Sequence, residues 1–228
     1  MEITPIGRVR SCFGEKFAVP RQPGLCPSAW GELHFDPEFR SPEAVRGLEG
    51  FSHVWLIFHF HQTSDRGWSP TVRPPRLGGN QRVGVFASRS TFRPNGMGLS
   101  LVRLESIDFE REDGPVLMLG GVDLVDGTPI FDVKPYLPYA EAPEEATGGY
   151  AEEAPERLEL EGEALLDALP ERDRRAIGEV LSIDPRPAGA RDEPGREHGV
   201  LICGVNVRFQ VLEGVCRIIG IDAGGLRD

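Results

Sequence analysis

Along residues 1–139, apolar positions gather in short runs broken by Gly, Pro, Asn or Asp, the pattern of strands joined by turns. The runs predict β-segments over Ile6–Ser11, Gly31–Phe35, His53–Phe60, Arg82–Ser88, Ser100–Phe109, Val116–Val125 and Ile130–Val133. Their spacing predicts a mainly β N-terminal unit, a barrel or sandwich. Ser100–Phe109 alternates imperfectly, whereas His53–Phe60 is almost continuously apolar and is expected to be central. Between the strands lies Gly67–Gln81, containing WSPTVRPPRLGGN, where prolines and glycines exclude a regular element. A loop of this length in a compact domain usually carries function.

The pattern changes after residue 140. Nine glutamates and one arginine fill Glu141–Glu163, with no apolar period before Leu158, so 141–160 reads as a solvated acidic linker. Glu161–Ile183 then offers Leu165, Leu166, Leu169, Ile177, Val180 and Leu181 for a helical stripe, which Pro170 should break in two. Two strands, Val200–Leu212 and Val215–Ile221, are expected to follow, joined at Glu213-Gly214. The expected organisation is a barrel over 1–140, a linker over 141–160 and a small α+β C-terminal unit over 161–228.

Composition fits a soluble globular chain: 39% apolar and 27% charged residues, with 28 Gly and 20 Pro supplying turns. The first ten residues, MEITPIGRVR, lack the apolar core of a signal peptide, and no run approaches the roughly 18 apolar residues of a membrane span. A cytoplasmic location is expected. Cys12, Cys26, Cys203 and Cys216 lack metal-site spacing and read as reduced. The net charge of −11 argues against a nucleic-acid partner only if spread evenly. It is not: residues 1–139 carry 15 Lys and Arg against 16 Asp and Glu, residues 140–228 carry 10 against 20, and Arg66–Leu104 holds seven arginines with no acid.

No Gly-x-Gly-x-x-Gly fingerprint or Walker loop occurs, which argues against a Rossmann or P-loop nucleotide site. His59 and His61 would share one face of a strand, but a third ligand at metal-site spacing is not evident, so no metal is expected. Arg89 and Arg93, in FASRSTFRPNGMGLS, are either solvated charges or a fork for a carboxylate or phosphate. Asp126-Gly127-Thr128-Pro129 is either a plain hairpin turn or a carboxylate poised for ribose hydroxyls, and Pro20-Arg21-Gln22-Pro23-Gly24 is an extended loop offering a guanidinium and an amide.

Taken together, KFAVPRQPGL, GLEGFSHVWLIFHFHQT, RPPRLGGNQRVGVFASRSTFRPN, LVDGTPIFDVKPYLPYAE and DPRPA, in this order, resemble the TrmO or TsaA-like family over essentially the whole chain. The resemblance implies a non-Rossmann β-barrel, a homodimer, and S-adenosylmethionine-dependent methylation of N6 of threonylcarbamoyladenosine beside the anticodon of tRNA. It places cofactor contacts on Pro20, Arg21, Gln22, His61, Gln62, Arg89, Leu99, Asp126, Gly127, Thr128 and Pro129. This chain departs from the family at Asn95-Gly96-Met97-Gly98 and at Gly189, where an aromatic often follows DPRPA. Asp132 and Tyr136 are the candidates for removing the N6 proton, and Arg66, Arg73, Arg76 and Arg93 are those for RNA phosphates. The competing classes are a non-catalytic module binding S-adenosylmethionine or RNA, and a metal-dependent hydrolase using His59 and His61.

Overall fold

The computed structural model describes residues 2–191 and 193–224, so the last four residues of the expected C-terminal unit lie outside the described residues. Six strands close a barrel: β1 (Gly7–Ser11), β2 (Trp30–Phe35), β3 (His53–His59), β6 (Met97–Asp108), β7 (Val116–Gly120) and β8 (Thr128–Pro135). A two-stranded ribbon of β4 (Thr71–Val72) and β5 (Val83–Gly84) interrupts them in sequence. Around the barrel the order is β1-β2-β7-β6-β3-β8, and every neighbouring pair is antiparallel. Strand alternation sends Val9, Leu33, Val54, Leu56, Val102 and Ile130 into a filled interior, each almost fully buried. Gly98 sits there for steric reasons: a Cβ at that position would meet the Phe58 ring at 2.3 Å.

Past the barrel come α1 (Pro138–Glu141), β9 (Glu159–Glu161), α2 (Glu171–Ser182), β10 (Glu197–Ile202), β11 (Val205–Leu212) and β12 (Val215–Ala223). The last three strands and β9 form a sheet in the order β10-β11-β12-β9. α2 starts directly after Pro170 and turns Ile177, Val180 and Leu181 inward. Both hairpins turn on two residues of positive φ, Cys203-Gly204 and Glu213-Gly214, the backbone a two-residue hairpin needs to keep strand twist.

Six expectations are corrected. Arg82–Ser88 is not one strand: pairing stops at Gly84, and Val85–Ala87 forms a 3-10 turn that buries Val85 and exposes Phe86. The segment Val116–Val125 ends as a strand at Gly120, and Gly67–Gln81 contains the short strand β4. The first expected helix is only a 3-10 turn, Glu163–Leu166, and Val200–Leu212 is two strands around Cys203-Gly204. The acidic stretch holds β9, which pairs in parallel with β12 through Leu160 opposite Cys216. It also touches the barrel side, where Tyr150 donates to the Ala87 carbonyl and Arg76 to that of Glu153.

The C-terminal unit shares one core with the barrel. Phe13 bridges to Ile202, and the Trp30 indole donates to Asp173 at 2.9 Å. Glu179 accepts both the backbone N–H and the hydroxyl of Ser28 at 2.8 Å. Arg172 reaches the Leu119 carbonyl and Glu105.

Candidate functional site

Register fixes which loops can meet. Ser11 lies opposite Gly31, Trp30 opposite Gly120, His59 opposite Met97, Phe58 opposite Ile130 and Val9 opposite Thr128. The β1–β2, β3–β6 and β7–β8 connections therefore all leave the same end of the barrel. The first carries Pro20, Arg21 and Gln22. The second carries His61, Gln62, Arg89 and the arginine-rich stretch, and the third carries Asp126 and Gly127. Leu99, Thr128 and Pro129 stand on the adjoining ends of β6 and β8.

Local bonds tie these loops together. Arg89 donates to Gln22 Oε1, and the Gly24 N–H donates to the Gly121 carbonyl at 2.9 Å, docking the first loop on the third. Lys16 Nζ reaches the Gln62 carbonyl, and Arg8 reaches the Gly127 carbonyl at 3.2 Å. Asp126 is exposed but oriented, its carboxylate accepting the Ser11 N–H at 2.9 Å. Thr128 and Pro129 are buried, so their side chains build the wall beneath the turn. Leu99 is 53% exposed, an apolar surface among polar loops.

Charges at this end are perturbed. Burial, with the charges of Arg8 and Lys16 and against a hydrogen bond to the His59 backbone, holds His61 below the usual imidazole range, which favours its neutral form at neutral pH. Burial, with Arg191 and Arg76 nearby, lowers the Arg21 guanidinium against the opposing effect of Asp184. Asp184 lies on the low side despite its burial, because Arg186 and Arg191 both bind it. β3 ends at His59 and His61 falls in the turn beyond, so strand alternation does not set their relative direction. Among the described residues no three His, Cys, Asp or Glu side chains group as metal ligands.

Tyr136 lies at the other end, where its N–H meets the His53 carbonyl, and Asp132 stands midway along β8, opposite Ile57 of β3. At about 3.3 Å per residue, Asp132 stands roughly 13 Å and Tyr136 roughly 26 Å along the chain from Thr128. Asp132 pairs with Lys134 at 3.0 Å and borders an apolar groove with Ile6, Phe39 and Val133. The Tyr136 ring packs edge-on against His53 and Trp55.

Several arginines of the 66–104 stretch bond within the chain, Arg76 to the Glu153 carbonyl and Arg89 to Gln22 among them. Arg93 is turned onto the Ser88 carbonyl, Arg82 onto Thr71, and Arg103 onto Glu105, which lies just beyond the acid-free span. Arg66, Arg73 and Arg76 are exposed, and the same loop presents Trp68 at 57% and Phe86 at 77% exposure. Sequence reasoning missed Phe86, which it placed inside a strand, and Asp123. Asp123 is a lone acid in the apolar run Val116–Val125, and that isolation is the signal that marks it.

The family model for the tRNA-methyltransferase O N-terminal domain matches residues 8–142, and that for the TrmO C-terminal domain matches residues 151–224. The chain is 49% identical over 226 residues to a tRNA (adenine(37)-N6)-methyltransferase of Escherichia coli, covering 95% of this chain and 96% of that protein. It is 47% identical to a putative S-adenosylmethionine-dependent methyltransferase RcsF of Pseudomonas aeruginosa, covering 91% of each. A crystal structure of TrmO from Pseudomonas aeruginosa superposes with a TM-score of 0.80 at 39% identity, covering 98% of both chains.

Proposed function

The chain belongs to the tRNA-methyltransferase O family, and we propose that it transfers a methyl group from S-adenosylmethionine to N6 of threonylcarbamoyladenosine next to the anticodon of tRNA. The observation that carries the reading is the convergence of three family-matched loops at one end of the barrel. The residues there suit the cofactor. Arg21 and Arg89 can pair with a carboxylate, Asp126 can accept ribose hydroxyls, and Leu99 offers apolar surface to a purine.

S-adenosylmethionine supplies an activated methyl group on a sulfonium, so the chain needs no covalent nucleophile, and its contribution is to position the reactants and manage a proton. Gln22 and Arg89 hold each other across two loops, which fixes one wall. The Ser11–Asp126 bond fixes another. His61, its neutral form favoured, stands at the loop end, which equips it to take the N6 proton within one chain. Asp132, midway along β8, is a second candidate for that role, and Tyr136 takes it only in a homodimer that brings the far end of one barrel to the loops of its partner, a homodimer we include in the proposal. Arg66, Arg73 and Arg76 bind tRNA phosphates, Trp68 and Phe86 offer faces for unstacked bases, and Arg93 shapes the loop. A cytoplasmic location goes with this reading.

The test is mass spectrometry of tRNA nucleosides after incubation with purified protein and methyl-labelled cofactor. A label on threonylcarbamoyladenosine supports the reading. A label on unmodified adenosine alone refutes the substrate, and no transfer to any tRNA favours a binding module.

A further inference from the structure

Asp123 lies where the candidate cofactor segments meet, yet it belongs to none of them. Its carboxylate accepts a 2.6 Å hydrogen bond from Ser100 Oγ, and Ser100 is 1% exposed. The Arg89 charge favours its ionised form, and the same guanidinium donates to Gln22. Gln22 reaches this place because the Gly24 N–H is bonded to Gly121, two residues before Asp123. Leu99 immediately precedes Ser100 on β6. A carboxylate in such surroundings costs the fold free energy, and one hydroxyl and one shared guanidinium compensate it incompletely.

We propose that Asp123 is the residue that recognises the sulfonium charge of S-adenosylmethionine and so distinguishes the methyl donor from its demethylated product. The proposal rests on the cofactor reading above. A sulfonium has no N–H or O–H, so hydrogen bonding cannot select it. A negative charge in a low-dielectric pocket can. Arg89 would repel it there, and the Asp123 carboxylate offsets that repulsion. Asp126, the other carboxylate of the third loop, is exposed and screened by water. Once the methyl group has left, sulfur is neutral and the attraction is gone, which favours exchange of product for fresh donor.

Calorimetric titration with S-adenosylmethionine and S-adenosylhomocysteine tests this at pH 7.5. D123N is expected to weaken donor binding about tenfold or more while changing product binding by about twofold or less. A second measurement needs no variant. As pH falls from 7.5 to 5 the wild-type donor-to-product affinity ratio should fall, because Asp123, whose charge Arg89 favours, takes up a proton. The two ligands share carboxylate, ammonium and ribose, so the ratio cancels those contributions. Equal loss of both ligands in D123N, no loss of either, or a ratio flat with pH overturns the proposal. Wild-type protein that binds neither ligand overturns the cofactor reading, and this proposal with it.

Discussion

Replacing Asp123 with Asn should make the ligand-free protein more stable at pH 8 and leave it nearly unchanged at pH 4. Burial pushes the Asp123 carboxyl up from 3.8 to about 6, against the opposing effects of the Ser100 hydrogen bond and the Arg89 charge. The folded state thus binds this proton more tightly than the unfolded chain does. The contribution to stability is fully present below pH 3.8 and is lost as pH rises through about 6. At about 1.4 kcal/mol per unit, a gap of about two units gives a penalty near 3 kcal/mol above pH 7. Asp123 retains some solvent contact, so about 1.5–3 kcal/mol is the expected range. Asn keeps the shape and the acceptor for Ser100 but carries no charge. Urea denaturation of both proteins at the two pH values measures the difference, and groups that titrate equally in both cancel. A D123N protein less stable than wild type at pH 8, or a difference independent of pH, would refute the reasoning. It would mean that Ser100 and Arg89 stabilise the carboxylate more than burial destabilises it.

Substituting Arg73 and Arg76 together by Ala should weaken tRNA binding and lower the slope of log affinity against log salt by up to roughly two units. Cofactor affinity should be nearly unchanged, and filter binding across a salt series decides. Glu179→Ala strips Ser28 of both its hydrogen-bond acceptors and is expected to cost about 1–3 kcal/mol in a denaturation titration. Burial pushes the Cys26 and Cys216 thiols up to about 12, so neither should react with a disulfide reagent at pH 8 until denaturant is added. Rapid modification of either in the native protein would contradict their burial.

The barrel was legible because most of its strands carry their own signal: apolar runs bounded by turn residues, with one face of each strand buried. Errors arose where a distant partner decides the outcome. Leu160 is a single apolar residue among glutamates, and β9 exists because β12 offers it an edge from far along the chain. Val83, Val85 and Phe86 form an apolar run, yet only two residues of that segment have a strand to pair with. The candidate loops could be picked from the sequence by residue type, but their meeting at one end follows from a strand order in which chain neighbours are often not sheet neighbours. Asp126 and Tyr136 share a sequence block, yet the length of β8 lies between them.

The core that the barrel shares with the C-terminal sheet also bears on how the chain can evolve. Phe13, Ala29 and Cys12 are buried at the loop end, where Ile202, Asp173, Glu179 and Cys203 reach across. A barrel inherited without that second unit would expose these side chains and leave the Ser28 and Trp30 donors to water. Such a descendant must acquire another cover for the same face or repaint it with polar residues. Substitutions on α2 and on the β1–β2 loop should therefore arise as matched pairs in natural variants, and a chimera joining this barrel to a foreign partner should need both sides of the seam exchanged together.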